Sequence, residues 1–209
     1  MSPRADVADA LRRAVGIIVR SQNEEGGWRY QPFARDADLS ITVSTLQGLR
    51  AARNVGITVD ADCIKKAMAY VKRCGNKNSR EGSFAYQDLA PHQTRFTFPL
   101  TAAGVTSLFS GGLYDAPEAK RGLEYLRLRF RDMRFGDYHF FYGHYYAAQA
   151  LYQGGPRYWN DYFKFLREEI LRHQKPSASW EDDVGETYAT AMACLILQLP
   201  NEYLPIFQR

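Results

Sequence analysis

Four stretches of this chain contain no Asp, Glu, Lys or Arg: LSITVSTLQGL (39–49), LTAAGVTSLFSGGL (100–113), YYAAQALYQGG (145–155) and TYATAMACLILQL (187–199). Each is long enough for a helix and rich in small residues. A helix without charge on any face has no side to offer to water, so its neighbours are expected to wall it in, and small side chains let them approach closely. The segments that precede them are of the opposite kind. ADALRRAVGIIVRSQ (8–22), DCIKKAMAYVKRC (62–74), EAKRGLEYLRLRF (118–130) and DYFKFLREEILRHQ (161–174) place apolar residues at three- and four-residue intervals and charge the remaining face. The alternation predicts four αα-hairpins, each with an outer and then an inner helix, the inner helices lying side by side. An open superhelical solenoid usually decorates its concave helices with charge, and these carry none. The expected architecture is therefore all-α: an α/α barrel (toroid) or partial toroid of about four αα-hairpins, with inner helices buried and outer helices amphipathic, forming a single domain over 1–209. Gly56, Gly111–Gly112 and Gly154–Gly155 read as helix stops.

A second regularity sits between outer and inner helices. QNEEGGWRY (22–30), REGSFAYQD (80–88), RFGDYHFFY (134–142) and QKPSASWED (174–182) each carry a small residue, one spacer and an aromatic: Gly26 and Trp28, Gly82 and Phe84, Gly136 and Tyr138, Ala178 and Trp180. The interval from Gln22 to Trp28 equals that from Gln174 to Trp180. A turn needs only the glycines, so Gln and Trp ask for another explanation.

Composition narrows the function classes. At 209 residues and 45% hydrophobic content the chain can build a core without disulfides or structural metal. Net charge is +4. The densest basic run, RLRFRDMR (127–134), is interrupted and reads as a solvated helix face or a surface for anionic lipid; no base-reading motif accompanies it, so nucleic acid is not expected as a partner. Of the 3 cysteines, Cys63 and Cys74 would lie about 16 Å apart along one helix, too far to bridge. Reduced thiols in a cytoplasmic protein, with peripheral membrane contact left open, is the economical expectation. The N-terminal MSPRADVADALRRAVG has early acids and no long apolar run, unlike a secretory signal or a membrane span. A glycine-rich phosphate loop, a Gly-x-Ser-x-Gly elbow and a GCGEQ thioester motif are all absent from the sequence.

The first mark reads Arg13-Ala14, Ile17-Ile18, Gln22 and Gly26-x-Trp28 in register, and resembles the QW repeat of squalene–hopene and oxidosqualene cyclases. Lys66-Ala67 with Tyr70-Val71 keeps the head of the second copy, where Gly75 replaces Gln. Arg121-Gly122 with Tyr125-Leu126 keeps that of the third, where Phe130 does, and Gln174 with Trp180 keeps the tail of the fourth. The resemblance covers roughly 12–199 and reaches the prenyltransferase β-subunits, which share the barrel. It implies that Gln22, Trp28, Gln174 and Trp180 are structural, the Gln amide serving unpaired helix-end groups and the Trp ring covering the joint between hairpins. It also implies a site at RDADLSITV (35–43), where class II terpene cyclases carry Asp-x-Asp-Asp-Thr and use the middle Asp to protonate an alkene. Asp36-Ala37-Asp38 matches its first part, while Leu39 stands in the place of the third Asp and Ser40 in that of Thr. Asp38 would then be the acid and Asp36 its support. Read from the residues alone, Asp38 is an N-cap for a helix starting at Leu39 and Asp36 complements its dipole.

In HFFYGHYYAAQALY (139–152), Tyr142, His144, Tyr145 and Tyr146 are candidates to line a cavity whose ring faces stabilise a cation, with Phe98 and Tyr188 on other inner helices; aromatic core packing is the alternative. Protein prenyltransferases hold zinc with Asp, Cys and His. Here Asp36, Asp38, His144 and Cys194 are the available ligands, no Cys follows Asp38, and neither metal nor other cofactor is expected. The functional expectation is protonation-initiated cyclisation of a polyprenyl or triterpene substrate. The alternative is a non-catalytic member that binds isoprenoid or lipid or serves as a scaffold. In either case the expected partner is a hydrophobic isoprenoid-type small molecule. Four hairpins are fewer than the six or so that close the resembled barrels, which leaves a part of a longer chain, a homodimer that completes a ring, or an open arc.

Overall fold

The computed structural model describes residues 4–78 and 80–203; Ser79 and both ends of the expected 1–209 domain lie outside them. The described residues form helices α1 (Ala5–Arg20), α2 (Leu39–Asn54), α3 (Ala61–Asn76), α4 (Phe98–Ser110), α5 (Pro117–Arg129), α6 (Phe140–Gly154), α7 (Pro156–Arg172) and α8 (Glu186–Leu197). The charged segments became α1, α3, α5 and α7 and the charge-free ones α2, α4, α6 and α8, an all-helical chain of four hairpins with the toroid type of layering. The inner helices adjoin in chain order, α2 against α4, α4 against α6 and α6 against α8. Their curvature is tight enough that α2 and α6 meet across α4. Gln47 Nε2 donates to Gln149 Oε1 at 3.2 Å, and Thr106 Oγ1 to the Tyr146 carbonyl at 2.9 Å.

Burial follows position in this arc. Every residue of α4 from Phe98 to Phe109 is buried, because α4 touches α2, α3, α5 and α6. α8 departs from the expectation of complete burial. Ala189, Ala193 and Ile196 are buried, but Ala191 and Cys194 are exposed, since α8 packs on α6 and the described residues put no helix on its far side. The absence of charge makes a helix able to be enclosed without supplying the enclosure. α2 also runs beyond the charge-free 39–49 stretch and carries Arg50 and Arg53 in its last turns. In the basic run, Arg131 lies 4.4 Å over the Phe130 ring and Arg134 5.3 Å from that of Phe165, so part of that charge rests on aromatic faces.

The turn between outer and inner helix is built alike in successive hairpins. Gly26, Gly82, Gly136 and Ala178 all have positive φ (90°, 82°, 89° and 62°). Two residues later the Trp28, Phe84 and Trp180 amides donate to Thr42, Thr101 and Thr190 Oγ1 at 3.1, 3.0 and 3.1 Å. The division of labour between Gln and Trp differs from that expected. The indole N–H reaches a carbonyl in the last turn of the outer helix, Trp28 Nε1 to Ile18 O at 2.8 Å and Trp180 Nε1 to Ile170 O at 2.7 Å, where the Ser21 and His173 amides also donate. Gln22 instead ties the turn to the next hairpin, donating to Gly26 O and to Cys63 O, both at 2.8 Å. In the second hairpin the aromatic is Phe84, fully buried in a socket of three glycines. A Cβ on Gly75, Gly104 or Gly122 would stand 2.7, 2.2 or 3.1 Å from its ring.

Candidate functional site

Because the hairpins repeat in one direction, the inner helices start at one end of the arc and stop at the other. At the starting end lies a cavity of about 400 Å³. α2 contributes Ser40, Ile41 and Ser44, α4 contributes Pro99 and Leu100, and α6 contributes Tyr142. The turns before these helices supply Tyr30, Tyr86, Tyr138, His139 and Arg95. Tyr30 is 63% and Tyr138 71% exposed, so the aromatic rim is open to solvent while the floor is closed.

Local chemistry sets each wall. Asp38 is extended (φ −131°) and its side chain accepts the Ile41 amide at 2.9 Å, which starts α2. Thr97 does the same for α4 through Leu100 N at 3.3 Å, with Pro99 in the first turn. α6 starts without a side-chain cap at His139, whose φ of 67° is left-handed. Asp137 holds that turn by accepting the Arg134 amide at 2.7 Å. Phe140 and Phe141 then fall in the core and Tyr142 on the cavity wall.

The two carboxylates singled out in the sequence share one guanidinium. Arg29 Nη1 is 3.3 Å from Asp38 Oδ2 and Arg29 Nε 3.5 Å from Asp36 Oδ2. Asp38 has no exposed side-chain surface; its Oδ1 accepts Ser40 Oγ at 2.5 Å as well as the Ile41 amide. It therefore lies behind the cavity wall, joined to it through Ser40. Asp36 is exposed and receives Gln87 Nε2 at 3.2 Å.

Of the aromatic candidates, Tyr142 lines this cavity and Tyr146 backs it, their ring centroids 4.9 Å apart. The Tyr142 hydroxyl is buried with no hydrogen-bond partner, and burial pushes its pKa up. Tyr146 is buried too, shifted upward by burial despite a hydrogen bond with Ser44. Tyr145 stacks edge-on to Tyr146, and burial pushes its pKa up to about 12. Tyr188 is half-buried on α8. His144 and Phe98 lie elsewhere, packed on each other with ring centroids 5.4 Å apart. His144 Nδ1 is 3.2 Å from Tyr162 Oη and Nε2 3.4 Å from Met133 O, and burial lowers its pKa to about 4. A neutral ring donates from Nε2 to Met133 O, and the one proton of the Tyr162 hydroxyl serves Nδ1 and the His144 carbonyl, each 3.2 Å from Oη.

Sequence reasoning missed the rim. Tyr86 lies under Arg95 at 4.3 Å and near Arg29 at 5.7 Å, and its hydroxyl is 3.4 Å from that of Tyr30. His139, beside them, has its pKa lowered by burial and by the Arg95 charge. These residues belong to turns 30, 86, 95 and 139, with no shared spacing that could mark them as neighbours. Among the described residues no group of three or more His, Cys, Asp or Glu converges as a metal site, and no helix is long and apolar enough to cross a membrane.

Among solved structures the chain is similar to a point variant of the type II terpene cyclase MstE from Scytonema, determined in its apo form. The TM-score is 0.67 at 20% sequence identity, and the match covers 98% of this chain and 59% of that one. At that identity the likeness establishes the fold, and the chain spans 59% of the length of that cyclase. No family model matches the sequence, and no curated protein matches it.

Proposed function

We propose that this chain, with its terpene cyclase-like fold, binds a hydrophobic isoprenoid-type molecule in the cavity at the start of α2, α4 and α6. The observation that carries the reading is the cavity itself: about 400 Å³, apolar on its floor at Ile41, Pro99 and Leu100, with Tyr142 offering a buried, unpaired hydroxyl. That volume falls within the roughly 300–1,000 Å³ of small-molecule sites. The hydroxyl is a donor for one polar group on an otherwise apolar ligand. Each methylene taken up by the floor contributes about 0.8 kcal/mol.

A second reading, protonation-initiated cyclisation with Asp38 as acid and Asp36 as support, rests on Asp38 lying without exposed surface just behind Ser40 on the cavity wall. Alkene protonation needs an O–H aimed at the substrate. Both Asp38 oxygens instead receive hydrogen bonds, from Ser40, Ile41 and Arg29, and this favours binding.

The test is calorimetry with C10, C15 and C20 prenyl alcohols, with mass spectrometry of the same chains, their diphosphates and squalene after incubation. Binding should tighten with chain length until the floor is filled, disappear in Ser44→Trp, and return each ligand unchanged. A cyclised isomer that vanishes in Asp38→Asn, with the melting temperature kept, would move the assignment to the second reading. Absence of saturable binding across the series would remove both.

A further inference from the structure

The stopping end of the inner helices carries a second cavity of about 610 Å³, sharing no lining residue with the first. Along α2 the distance from Ile41 in one to Arg50 in the other is about 14 Å at 1.5 Å per residue. Its trough is apolar: Leu46 and Leu49 from α2, Ile57 from the following connection, and Ile64 and Met68 from α3. Leu46, Leu49, Ile57 and Met68 are buried members of the core, so this apolar surface is recessed. Met68 is held in place because Gly111 has no side chain; a Cβ there would stand 2.4 Å from the Met68 sulfur. On the other lip, a Cβ on Gly112 would meet nothing within 4 Å.

The polar part of this region is basic. Arg50 and Arg53 line the trough, and Arg50 Nη1 donates to Ser110 Oγ at 3.1 Å. A smaller hollow that shares Ile57 and Thr58 with the trough is bordered by Arg12 and Arg20. Arg12, Arg20 and Arg53 take part in none of the ion pairs among the described residues. The one acid in either lining, Asp60, is engaged at the start of α3, where it accepts the Asp62 amide at 2.9 Å.

We propose that this groove is a second ligand site, which takes one anionic amphiphile with its hydrocarbon chain in the trough and its phosphate or carboxylate head at Arg53. Recessed apolar residues beside Arg53, with Arg12 and Arg20 around the adjoining hollow, match a chain ending in an anion. A cationic head would find one carboxylate, Asp60 at the border of the smaller hollow, whose Oδ1 caps α3, against the three guanidinium groups of Arg12, Arg20 and Arg53. A membrane surface fits less well, because a flat bilayer calls for protruding apolar residues, and in this connection Val55 alone protrudes, at 56% exposure. The proposal is independent of the isoprenoid reading of the first cavity.

Titration calorimetry of the full chain below micelle-forming concentrations decides it, with dodecyl phosphate, dodecanoate, dodecyltrimethylammonium and inorganic phosphate as probes. Dodecyl phosphate and dodecanoate should each give one saturable event, and lengthening the chain should tighten binding about fourfold per methylene until the trough is full. Arg53→Gln should weaken both by about tenfold or more. Ala61→Trp, at an exposed position on the groove's edge, should abolish them, and Ser44→Trp in the other cavity should leave them intact. Thermal melts confirm that each variant folds, and if Ala61→Trp does not, Arg53→Gln still decides. Equal affinity for the ammonium probe, loss of binding in Ser44→Trp, or sedimentation with anionic vesicles without uptake of the monomeric probes would each overturn the proposal. Absence of any saturable event would do the same.

Discussion

His144 shows what one residue's surroundings do to a candidate role. Its sequence neighbours, Tyr142, Tyr145 and Tyr146, suggested a cavity wall; its contacts are with Tyr162 on α7, Met133, Phe98 and Phe140. Burial lowers its folded pKa to about 4, below the roughly 6.5 of an unfolded chain. The unfolded state therefore takes up the proton first as pH falls. The contribution to stability is complete above about pH 6.5 and is lost towards pH 4, by about 3 kcal/mol in all. Urea unfolding at pH 7.5, 5.5 and 4.5 should show this loss in the native chain and a smaller one in His144→Asn. Equal pH dependence in the two would mean that the ring takes up its proton inside the fold. Asp38 was the easier residue to read, because a cap is settled within three positions of sequence. The partners of His144 include Phe98 on α4 and Tyr162 on α7, and no local pattern announces those two.

At the scale of elements, the charge-free segments forecast α4 well and α8 less well. Both could be enclosed by their composition, but only α4 has neighbours on every side. The glycine in α4 shows how close those neighbours are. Gly104→Ala would raise helix propensity by about 1 kcal/mol, yet its Cβ would stand 2.2 Å from Phe84 Cδ1. Overpacking should win, with a net destabilisation of about 1–3 kcal/mol by urea denaturation. Part of it should be recovered when Phe84→Leu is added, because the two sites share one space. An unchanged or raised midpoint in the single variant would show that the ring can move aside. The pairing of Phe84 with glycines on α3, α4 and α5 was not legible beforehand. It depends on which hairpins adjoin, and the sequence displays only the aromatic marks.

Across the whole molecule, the arc grades from an enclosed middle to an open edge. Amide hydrogen exchange should follow that grading. The α4 amides should exchange only through global unfolding, while those of α8 should exchange through cheaper local openings. Equal protection in α4 and α8 would mean that α8 is covered in solution by something beyond the described residues. The number and order of hairpins could be read from composition; where the cavities lie could not, since they form from turn residues that only the curvature brings together. The recurring joint has a further consequence. Since a left-handed residue, an aromatic and a threonine hydroxyl rebuild the same seam in the first, second and fourth hairpins, such a chain lengthens or shortens most simply in steps of one hairpin. Each step would resize the hollow at either end without redrawing any existing joint, so the choice of guest can evolve by duplication or loss of a whole unit while every older contact stays as it was.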